Sequence, residues 1–362
     1  MINLPDLKTA DVSGKKAFLR SDLDVPLTES LTIADDTRLS EGLETLKYLL
    51  DNGAHVIVAG HLGRPSLQST INNSQLTDDN SKFSLKPVAD WYAKKFNSTA
   101  KAGKVGEFDG WQITPQLYLL ENLRFYPEEE ANDSSFSQKL ASLSEIYVDN
   151  AFANIHRAHA SMVGITQFLP HYAGFMLVRE VNILATLMEN PKRPLTVIIG
   201  GAKIETKLPM VEKMHQIADY VLVGGKIAEE TKTLIKVAHE RVLERKSALI
   251  VADLIYDQTD MTPNSVGNFL QVVNLSQTVI WNGPVGVTEG KENDPEIPSA
   301  KLARGIAASG VYSVVGGGDT IAFLRKIGLL DKFSFVSTGG GAMLEFLSGE
   351  KLPGIEALTS ST

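Results

Sequence analysis

Two glycine triplets, each between a short apolar run and a helix-like run, carry the strongest chemical signal in the sequence. Gly316-Gly317-Gly318 precedes Asp319-Thr320, and Gly339-Gly340-Gly341 precedes the run that begins at Ala342. Glycine lets a ligand approach the backbone closely, and a helix start offers unpaired N–H groups and a positive dipole end. Together these features predict phosphate sites, and Asp319 with Thr320 could hold Mg²⁺. Tight turns without a ligand are the alternative for either triplet alone.

Two further glycine-rich stretches follow apolar runs in the same half of the chain. Gly200-Gly201 precedes Lys203 and Lys207, whose spacing of four places both ammonium groups on one side of a helix start. A solvated lysine pair is the alternative, and the preceding glycines favour phosphate contact. Asn282 and Gly283 open the second stretch, which continues to Glu289, a candidate for a ribose hydroxyl or a cation. The Walker A and Gly-x-Gly-x-x-Gly patterns are absent, which disfavours a P-loop enzyme and a Rossmann dehydrogenase.

The first 160 residues contain five arginines among many lysines: Arg20, Arg38, Arg64, Arg124 and Arg157. Sparse arginine in loops suits bidentate binding of phosphate or carboxylate, although five unrelated surface residues would look the same. Arg38 stands in the first turn of a predicted helix, where a cation is disfavoured unless an anion is near.

Polar loops follow the predicted strands of this half. Asp22-Leu23-Asp24 follows residues 16–20 and could accept hydrogen bonds from a hydroxyl or bind a cation, or could only start a turn. Gly60-His61-Leu62-Gly63-Arg64 follows residues 55–59 as a further anion-loop candidate. The run 149–159 holds His156, Arg157 and His159, but no third ligand is spaced for zinc, so a metal site there is disfavoured.

The elements that must position these residues alternate between strand and helix. This alternation predicts an α/β fold with parallel sheets and crossover helices, in which ligands bind beyond the carboxyl ends of the strands. The predicted strands are residues 16–20, 55–59, 117–120, 146–148, 195–199, 220–223, 279–281, 312–315 and 333–336. The clearest predicted helices are residues 38–50, 86–95, 175–188 and 207–218.

Length and composition limit the remaining possibilities. A chain of 362 residues predicts two domains, with a boundary near the predicted helix 175–188. There are no cysteines, which excludes disulfides and thiolate chemistry, and the net charge of −8 argues against nucleic-acid binding. Because neither a secretory signal nor an apolar run of membrane-spanning length is visible, the sequence predicts a soluble cytoplasmic protein without a membrane partner.

Taken in the order in which they occur along the chain, the motifs closely resemble those of phosphoglycerate kinase, and the likeness covers nearly the whole chain. The matching segments are the Asp22 loop, Arg38, His61 to Pro65, Glu121 to Phe125, Ala151 to Ser161, Pro191 to Pro194, Gly200 to Lys207, Trp281 to Glu289, Gly316 to Thr320, Ser337 to Glu345 and Leu352 to Gly354. The resemblance implies two Rossmann-like three-layer αβα domains with mainly parallel sheets, facing across a cleft. Residues 1–174, with 346–362 returning to them, would bind the phosphoglycerate, and residues 175–345 would bind the nucleotide.

The resemblance also implies the chemistry, which is reversible phosphoryl transfer from 1,3-bisphosphoglycerate to ADP in glycolysis, with Mg²⁺ on ADP or ATP. The phosphoglycerate ligands would be Asp22, Leu23, Asp24, Arg38, His61, Leu62, Gly63, Arg64, Arg124 and Arg157. The nucleotide ligands would be Gly201, Lys203, Lys207, Gly224, Asn282, Glu289, Gly317, Gly318, Asp319 and Thr320, with Asp319 on the metal. Arg38, Lys203 and the amides of Gly339, Gly340 and Gly341 would act on the transferring group, after a hinge closure in a monomer.

Two departures from the family pattern bear on this reading. Asp24 stands where the family usually has Asn, and a second carboxylate beside an anionic substrate should weaken binding, so Asp24→Asn is predicted to lower the KM for 3-phosphoglycerate. Lys226 replaces the third glycine after residues 220–223, and the family's Asp-Ile-Gly-Pro segment is provisionally matched to Ser265-Val-Gly-Asn268. These changes keep open a phosphoglycerate-kinase-like binding protein with altered nucleotide preference or lost turnover.

Overall fold

The structure is a computed structural model that describes residues 2–65, 81–202, 204–238 and 247–360, without the side chains of residues 204–206 and 234–238. Lys203 therefore lies outside the described residues. The chain divides into two compact units: unit 1 is Met1–Asn182 with Lys351–Thr362, and unit 2 is Ile183–Glu350.

Unit 1 contains a seven-stranded sheet in the order β3-β4-β5-β2-β1-β6-β7. Its strands are β1 (Lys16–Ser21), β2 (His55–Ala59), β3 (Lys101–Val105), β4 (Phe108–Thr114), β5 (Leu117–Leu120), β6 (Ile146–Asn150) and β7 (His171–Ala173). The five strands from β5 to β7 run parallel, whereas β3 and β4 pair antiparallel at one edge. The predicted strands at β1, β2, β5 and β6 are confirmed. The sequence did not predict β3, β4 or β7. The side chains of β3 are mostly exposed and therefore lack an apolar pattern.

Unit 2 contains a six-stranded, wholly parallel sheet in the order β10-β9-β8-β11-β12-β13. Its strands are β8 (Leu195–Ile199), β9 (Tyr220–Val223), β10 (Ala248–Val251), β11 (Thr278–Asn282), β12 (Tyr312–Gly316) and β13 (Phe335–Val336). β8 and β11 are buried at every position, as expected for strands covered on both faces. The sequence predicted all of these strands except β10, and placed the start of β13 two residues early.

Helices connect the strands in both units. In chain order they are α1 (Thr37–Asp51), α2 (Lys86–Lys95), α3 (Pro127–Glu130), α4 (Ser134–Ala141), α5 (Phe175–Glu189), α6 (Ile204–Ile217), α7 (Ile227–Ala238), α8 (Pro263–Leu275), α9 (Pro298–Ser309), α10 (Gly318–Lys326), α11 (Gly340–Leu347) and α12 (Pro353–Thr359). Among the described residues no helix combines the length and the apolar character that crossing a bilayer requires.

The start of α1 shows how local sequence sets a helix end. Asp35 Oδ1 accepts from the Thr37 backbone N–H at 2.9 Å and from the Thr37 hydroxyl at 2.7 Å, so the acid one position before the N-cap satisfies the N–H of the first helical residue. Asp36 instead accepts from the Trp91 indole at 2.9 Å. The buried side chains of Leu39, Leu46 and Leu49 hold the helix against the sheet, which fixes the position of Arg38 at its start.

In each sheet the strand order reverses at one pair of neighbouring strands. The strand that follows one member of the pair in the chain lies on one side of the pair, and the strand that follows the other member lies on the other side. In unit 1 this place is between β1 and β6, because β2 lies on the far side of β1. In unit 2 it is between β8 and β11, because β9 lies on one side and β12 on the other. Loops leave the carboxyl ends of such strand pairs in opposite directions and open a crevice for a ligand. The candidate residues are concentrated at these two edges.

Two candidate anion sites

In unit 1 the loops after β1 and β6 are joined through Asp22. This carboxylate is 2% exposed; it accepts from the Ala153 N–H at 2.8 Å and from the Asn154 amide at 2.5 Å. Burial raises the pKa of Asp22, and the nearby Arg38 guanidinium opposes that shift. Asp22 therefore fastens two loops together at the edge where the strand order reverses. Asn154 was not predicted as a site residue, because its partner is 132 positions away in sequence.

The second acid, Asp24, lies among backbone groups and cations. Its Oδ1 accepts from the Gly63 N–H at 2.8 Å, and its carbonyl oxygen accepts from Arg38 Nη1. Arg124 Nη1 donates to the Gly63 carbonyl at 2.7 Å, which ties the loop after β5 to the loop after β2. Four of the predicted residues, Asp24, Arg38, Gly63 and Arg124, thus form one connected group. The N–H of Gly63 partly offsets the negative charge of Asp24.

The remaining predicted residues of unit 1 differ in exposure. Arg64 is exposed and Arg157 is partly buried, so both can meet a ligand from solution. Arg124 is 6% exposed, and its Nε lies 2.8 Å from Glu130 Oε1. The side chains of Leu23 and Leu62 are core residues at 1% and 4% exposure, so packing is what they contribute.

Buried histidines surround the same loops. The pKa of His61 lies well below its usual value, chiefly because the ring is buried and also because Arg20, Arg124 and other cations are near. Burial likewise lowers the pKa of His156 to about 4 and that of His159 to about 3. At neutral pH these rings are uncharged. Among the described residues, no three His, Asp or Glu side chains are grouped to hold a metal ion.

In unit 2 the glycine loops after neighbouring strands pack directly on one another. A Cβ at Gly340 would lie 2.8 Å from the Gly317 Cα, and Gly317 itself has a φ of +96°. A Cβ at Gly200 would lie 2.3 Å from the Pro284 carbonyl oxygen. Side chains are therefore excluded at these positions, and backbone amides form the surface of the site. The two triplets that the sequence singled out lie against each other.

The buried side chains of Asn282 and Thr320 hold these glycine loops in place. The Asn282 side chain is buried, and its Oδ1 accepts from Lys207 Nζ. Thr320 is also buried, and its hydroxyl oxygen accepts from the Gly283 N–H at 3.0 Å. Their observed contacts fix loops, whereas Asp319, in the first turn of α10, is exposed.

A cavity of about 460 Å³ lies beside these loops, and its walls include Pro284, Val287, Glu289, Asp319, Ala322 and Phe323. It combines apolar side chains with three carboxylates, those of Glu289, Glu292 and Asp319, and with the ammonium group of Lys326. Glu289 and Asp319 were both predicted as site residues, and both line this cavity. The carboxylate of Asp319 is exposed toward solvent, which fits a role as an oxygen ligand for a hard cation such as Mg²⁺.

The sequence reading missed Asp260, which supports this cavity. Asp260 is 7% exposed; its Oδ1 accepts from the Val287 N–H at 2.8 Å and its Oδ2 lies 3.1 Å from Lys291 Nζ. A Cβ at Gly286 would lie 1.9 Å from Asp260 Oδ1, so this contact requires glycine.

Residues 265–268, which were matched to the Asp-Ile-Gly-Pro segment, lie inside α8. Asp260-Met261-Thr262-Pro263 carries the acid and the proline of the pattern directly at the start of that helix. The spacing of Asp and Pro was the signal that could have found it.

The loop after β9 completes the carboxyl edge of unit 2. A Cβ at Gly224 would lie 2.8 Å from the Met261 sulfur, and one at Gly225 would lie 3.0 Å from the Gly201 nitrogen. Lys226, in contrast, is exposed and carries its side chain outside this packing. The lysine therefore does not disturb the glycine contacts, but it adds a cation at the rim.

Comparison with known proteins gives one consistent result. The family model of phosphoglycerate kinase matches residues 7–258 and 238–350. The phosphoglycerate kinase of Desulforudis audaxviator is 38% identical over 97% of this chain and 98% of its own length, and the cytosolic enzyme of Triticum aestivum is 36% identical over 97% of both. Among solved structures, phosphoglycerate kinase from Coxiella burnetii matches with a TM-score of 0.80 and 30% identity over 99% of both chains.

Proposed function

The chain belongs to the phosphoglycerate kinase family and is a phosphotransferase with a carboxyl group as acceptor, and from this we propose how its residues divide the reaction. Its reaction is reversible phosphoryl transfer from 1,3-bisphosphoglycerate to ADP, giving 3-phosphoglycerate and ATP. Unit 1 binds the phosphoglycerate and unit 2 binds the nucleotide. The observation that carries this division is chemical: side-chain cations line the edge of one sheet, and bare backbone amides line the edge of the other.

In unit 1 the anionic substrate is bound by Arg38, Arg64, Arg124 and Arg157, with His61 as a neutral donor. Arginine suits this task because its fork matches carboxylate and phosphate oxygens. Asp22 and Asp24 orient the loops, and either can accept from the substrate hydroxyl. The contacts of Asp24 with Gly63 and Arg38 support this role, since they hold the acid in place without an additional ligand.

In unit 2 the nucleotide phosphates meet the amides of the glycine loops, together with Lys203 and Lys207. Glu289, on the cavity wall, is the partner for a ribose hydroxyl. Asp319 is the residue that would hold Mg²⁺, and its exposure at the helix start fits that assignment. When bound, Mg²⁺ neutralises negative charge on the nucleotide phosphates.

The protein groups act by positioning and by neutralising charge. Phosphoryl transfer passes through a loose transition state with charge spread over three equatorial oxygens. Arg38 and Lys203 supply positive charge to the transferring group, and the N–H groups at Gly339, Gly340 and Gly341 supply hydrogen-bond donors. No side chain needs to form a covalent intermediate.

A second candidate is a relative with altered nucleotide preference or without turnover. Lys226 favours the first form of this alternative, because it places a cation at the rim where the family usually has glycine. Binding curves for ADP, GDP and IDP, measured on the wild type and on Lys226→Gly, separate the two candidates. If ADP binds tightest to both proteins, the ordinary preference holds.

The central test is a coupled assay of ATP formation from 1,3-bisphosphoglycerate and ADP. Lys203→Ala and Arg38→Ala should each lower kcat by roughly 10²–10³, the loss typical of removing one charge-stabilising donor. Far-ultraviolet circular dichroism checks that both variants remain folded. A folded wild type without turnover would reject the proposal in favour of a binding relative, and full activity of both variants would reject the residue assignment.

The assembly and location are also part of the proposal. We expect a cytoplasmic monomer, as the resemblance implies, although the family includes chloroplastic members such as one from Arabidopsis thaliana. Sedimentation at several protein concentrations measures the first point, and fractionation of the source cells measures the second.

A further inference from the structure

We propose that Glu129, acting through Ser161 and Arg20, fixes the tautomer of His61 so that its Nε2 carries the proton. Glu129 is then a positioning residue for the phosphoglycerate site. The link to substrate binding rests on the proposed function, in which His61 is a ligand of the phosphoglycerate. The tautomer of His61 does not depend on that function.

The first link of this relay joins Glu129 to Ser161. The Ser161 hydroxyl donates to Glu129 Oε1 at 2.5 Å, and the Ser161 N–H donates to Oε2 at 3.0 Å. Both carboxylate oxygens therefore act as acceptors. Glu129 is 1% exposed and Ser161 is fully buried, so water does not compete for these bonds. The Tyr147 hydroxyl donates to the Ser161 carbonyl at 2.9 Å and fixes the serine further.

The second link joins Ser161 to Arg20. Because the serine hydroxyl gives its proton to Glu129, its oxygen is free to accept, and Arg20 Nε donates to it at 2.9 Å. Arg20 Nη1 donates to the Ser21 carbonyl at 2.6 Å. The guanidinium is fully buried at the end of β1 and is held in one orientation by these two bonds. Glu129 thus directs the arginine through the serine.

The third link determines the state of His61. Arg20 Nη2 lies 3.1 Å from His61 Nδ1. A guanidinium can only donate, so Nδ1 must accept, and in a neutral ring the proton must then be on Nε2. If the proton were on Nδ1, two donors would face each other inside the protein. The cations Arg20, Arg124 and Arg157 also oppose a second proton on this ring, as does its burial.

The tautomer matters because the ligand is an anion. A ring with Nε2–H offers a donor to a carboxylate or phosphate oxygen, whereas the other tautomer would present a lone pair and repel it. Arginine alone does not secure this, because an unfixed guanidinium could rotate away from Nδ1. Asp22, Tyr147 and Asp149 also lie near Arg20, but no hydrogen bond from the guanidinium to them is observed. His159 has its Nδ1 3.8 Å from Glu129 Oε1 and is neutral at ordinary pH, so it does not replace Ser161 as the partner of the acid.

A simpler role for Glu129 is to balance the charge of buried Arg20. The two roles differ in what they predict for the ring. If Glu129 only balances the charge of Arg20, altering Glu129 changes the stability of the protein and leaves the His61 proton on Nε2. If Glu129 acts through Ser161 and Arg20, altering either Glu129 or Ser161 changes the tautomer of His61.

The experiment is ¹⁵N–¹H correlation spectroscopy of the histidine rings in the full-length protein, with His61 assigned through His61→Gln. We expect Nε2–H in the wild type from about pH 6 to pH 8. Glu129→Gln and Ser161→Ala should give a mixture of tautomers and raise the KM for 3-phosphoglycerate about tenfold, while the KM for ADP stays the same. Glu128→Gln is the matched control, because Glu128 is exposed on the same short helix.

The wild-type spectrum alone can overturn the proposal, if His61 is protonated on Nδ1 or charged at neutral pH. An unchanged Nε2–H signal in a folded Ser161→Ala would also overturn it and leave the counter-charge role. Because these signals need no substrate, they are independent of the proposed function, which is tested by turnover of the wild type and of the Lys203→Ala and Arg38→Ala variants.

Discussion

The loops of the two candidate sites are held in place by different kinds of contact. In unit 1 the loops are held by buried charged side chains such as Asp22, Glu129 and Arg20, each with named hydrogen-bond partners. In unit 2 the loops are held by glycine contacts, with few buried charges beneath them. A site made of side chains can be changed by altering charge or pH, whereas a site made of backbone is changed mainly by adding volume. The predictions below test this difference.

The largest effect is expected from adding one methyl group in unit 2. Gly340→Ala places a Cβ 2.8 Å from the Gly317 Cα, so the two triplets must separate. We expect the KM for ADP to rise tenfold or more and the free energy of unfolding to fall by about 1–3 kcal/mol. Binding of 3-phosphoglycerate should not change. Titration calorimetry with each ligand measures both affinities.

Gly267→Ala is the matched control, because a Cβ there meets nothing within 4 Å. It should keep full activity and gain a little stability, as a helical Gly→Ala change usually does. If Gly340→Ala bound ADP as tightly as the control, the backbone character of the site would be refuted.

The next effect concerns Asp260, the buried acid that supports the cavity of unit 2. Asp260→Ala removes the acceptor of the Val287 N–H and the partner of Lys291. We expect the KM for ADP to rise about tenfold, since a lost hydrogen bond to a charged group costs about 1.5 kcal/mol. Asp260→Asn keeps the acceptor and should show a smaller increase. Asp257→Asn, exposed on the same loop, is the control, and an equal effect of all three changes would remove Asp260 from the site.

A third prediction uses pH to probe unit 1. Burial raises the pKa of Asp149 to about 7 from 3.8, against the opposing effect of Arg20. The folded protein therefore binds a proton that the unfolded chain has released, and the stability from this group is lost as pH rises from about 4 through 7. Asp149→Asn removes that loss, so its advantage over the wild type should grow to roughly 1–3 kcal/mol at pH 8. Urea unfolding at pH 5 and pH 8 measures it, and a constant difference would contradict the prediction.

The smallest effect is expected at Asp24. Replacing it by Asn removes a negative charge beside the anionic substrate but keeps an oxygen for the Gly63 N–H. The KM for 3-phosphoglycerate should fall about twofold to fivefold, a modest change because the Gly63 N–H already offsets part of the charge. Steady-state kinetics measures it. An unchanged or higher KM would show that the carboxylate itself contacts the substrate.

Prediction from sequence succeeded where the signal is local. The strands β8 and β9 were predicted to the residue, because continuous apolar runs that end at a pair of glycines are visible in any short window. The glycine loops were identified for the same reason. The edge strand β3 was not predicted, because its exposed residues carry no apolar pattern and only its pairing with β4 identifies it as a strand.

Arg20, Ser161 and Glu129 were not predicted as a group. Their meeting depends on contacts up to 141 positions apart in sequence. A buried cation at the end of an apolar strand was the only local hint.

The sequence by itself determined the α/β class, the anion chemistry of the loops and the family resemblance, because those properties reside in residue types and short spacings. Only the tertiary structure decided which groups are buried together, which hydrogen-bond donors face which acceptors and which pKa values shift. Those properties depend on desolvation and on distances between remote segments. The tautomer inferred for His61 depends on them entirely.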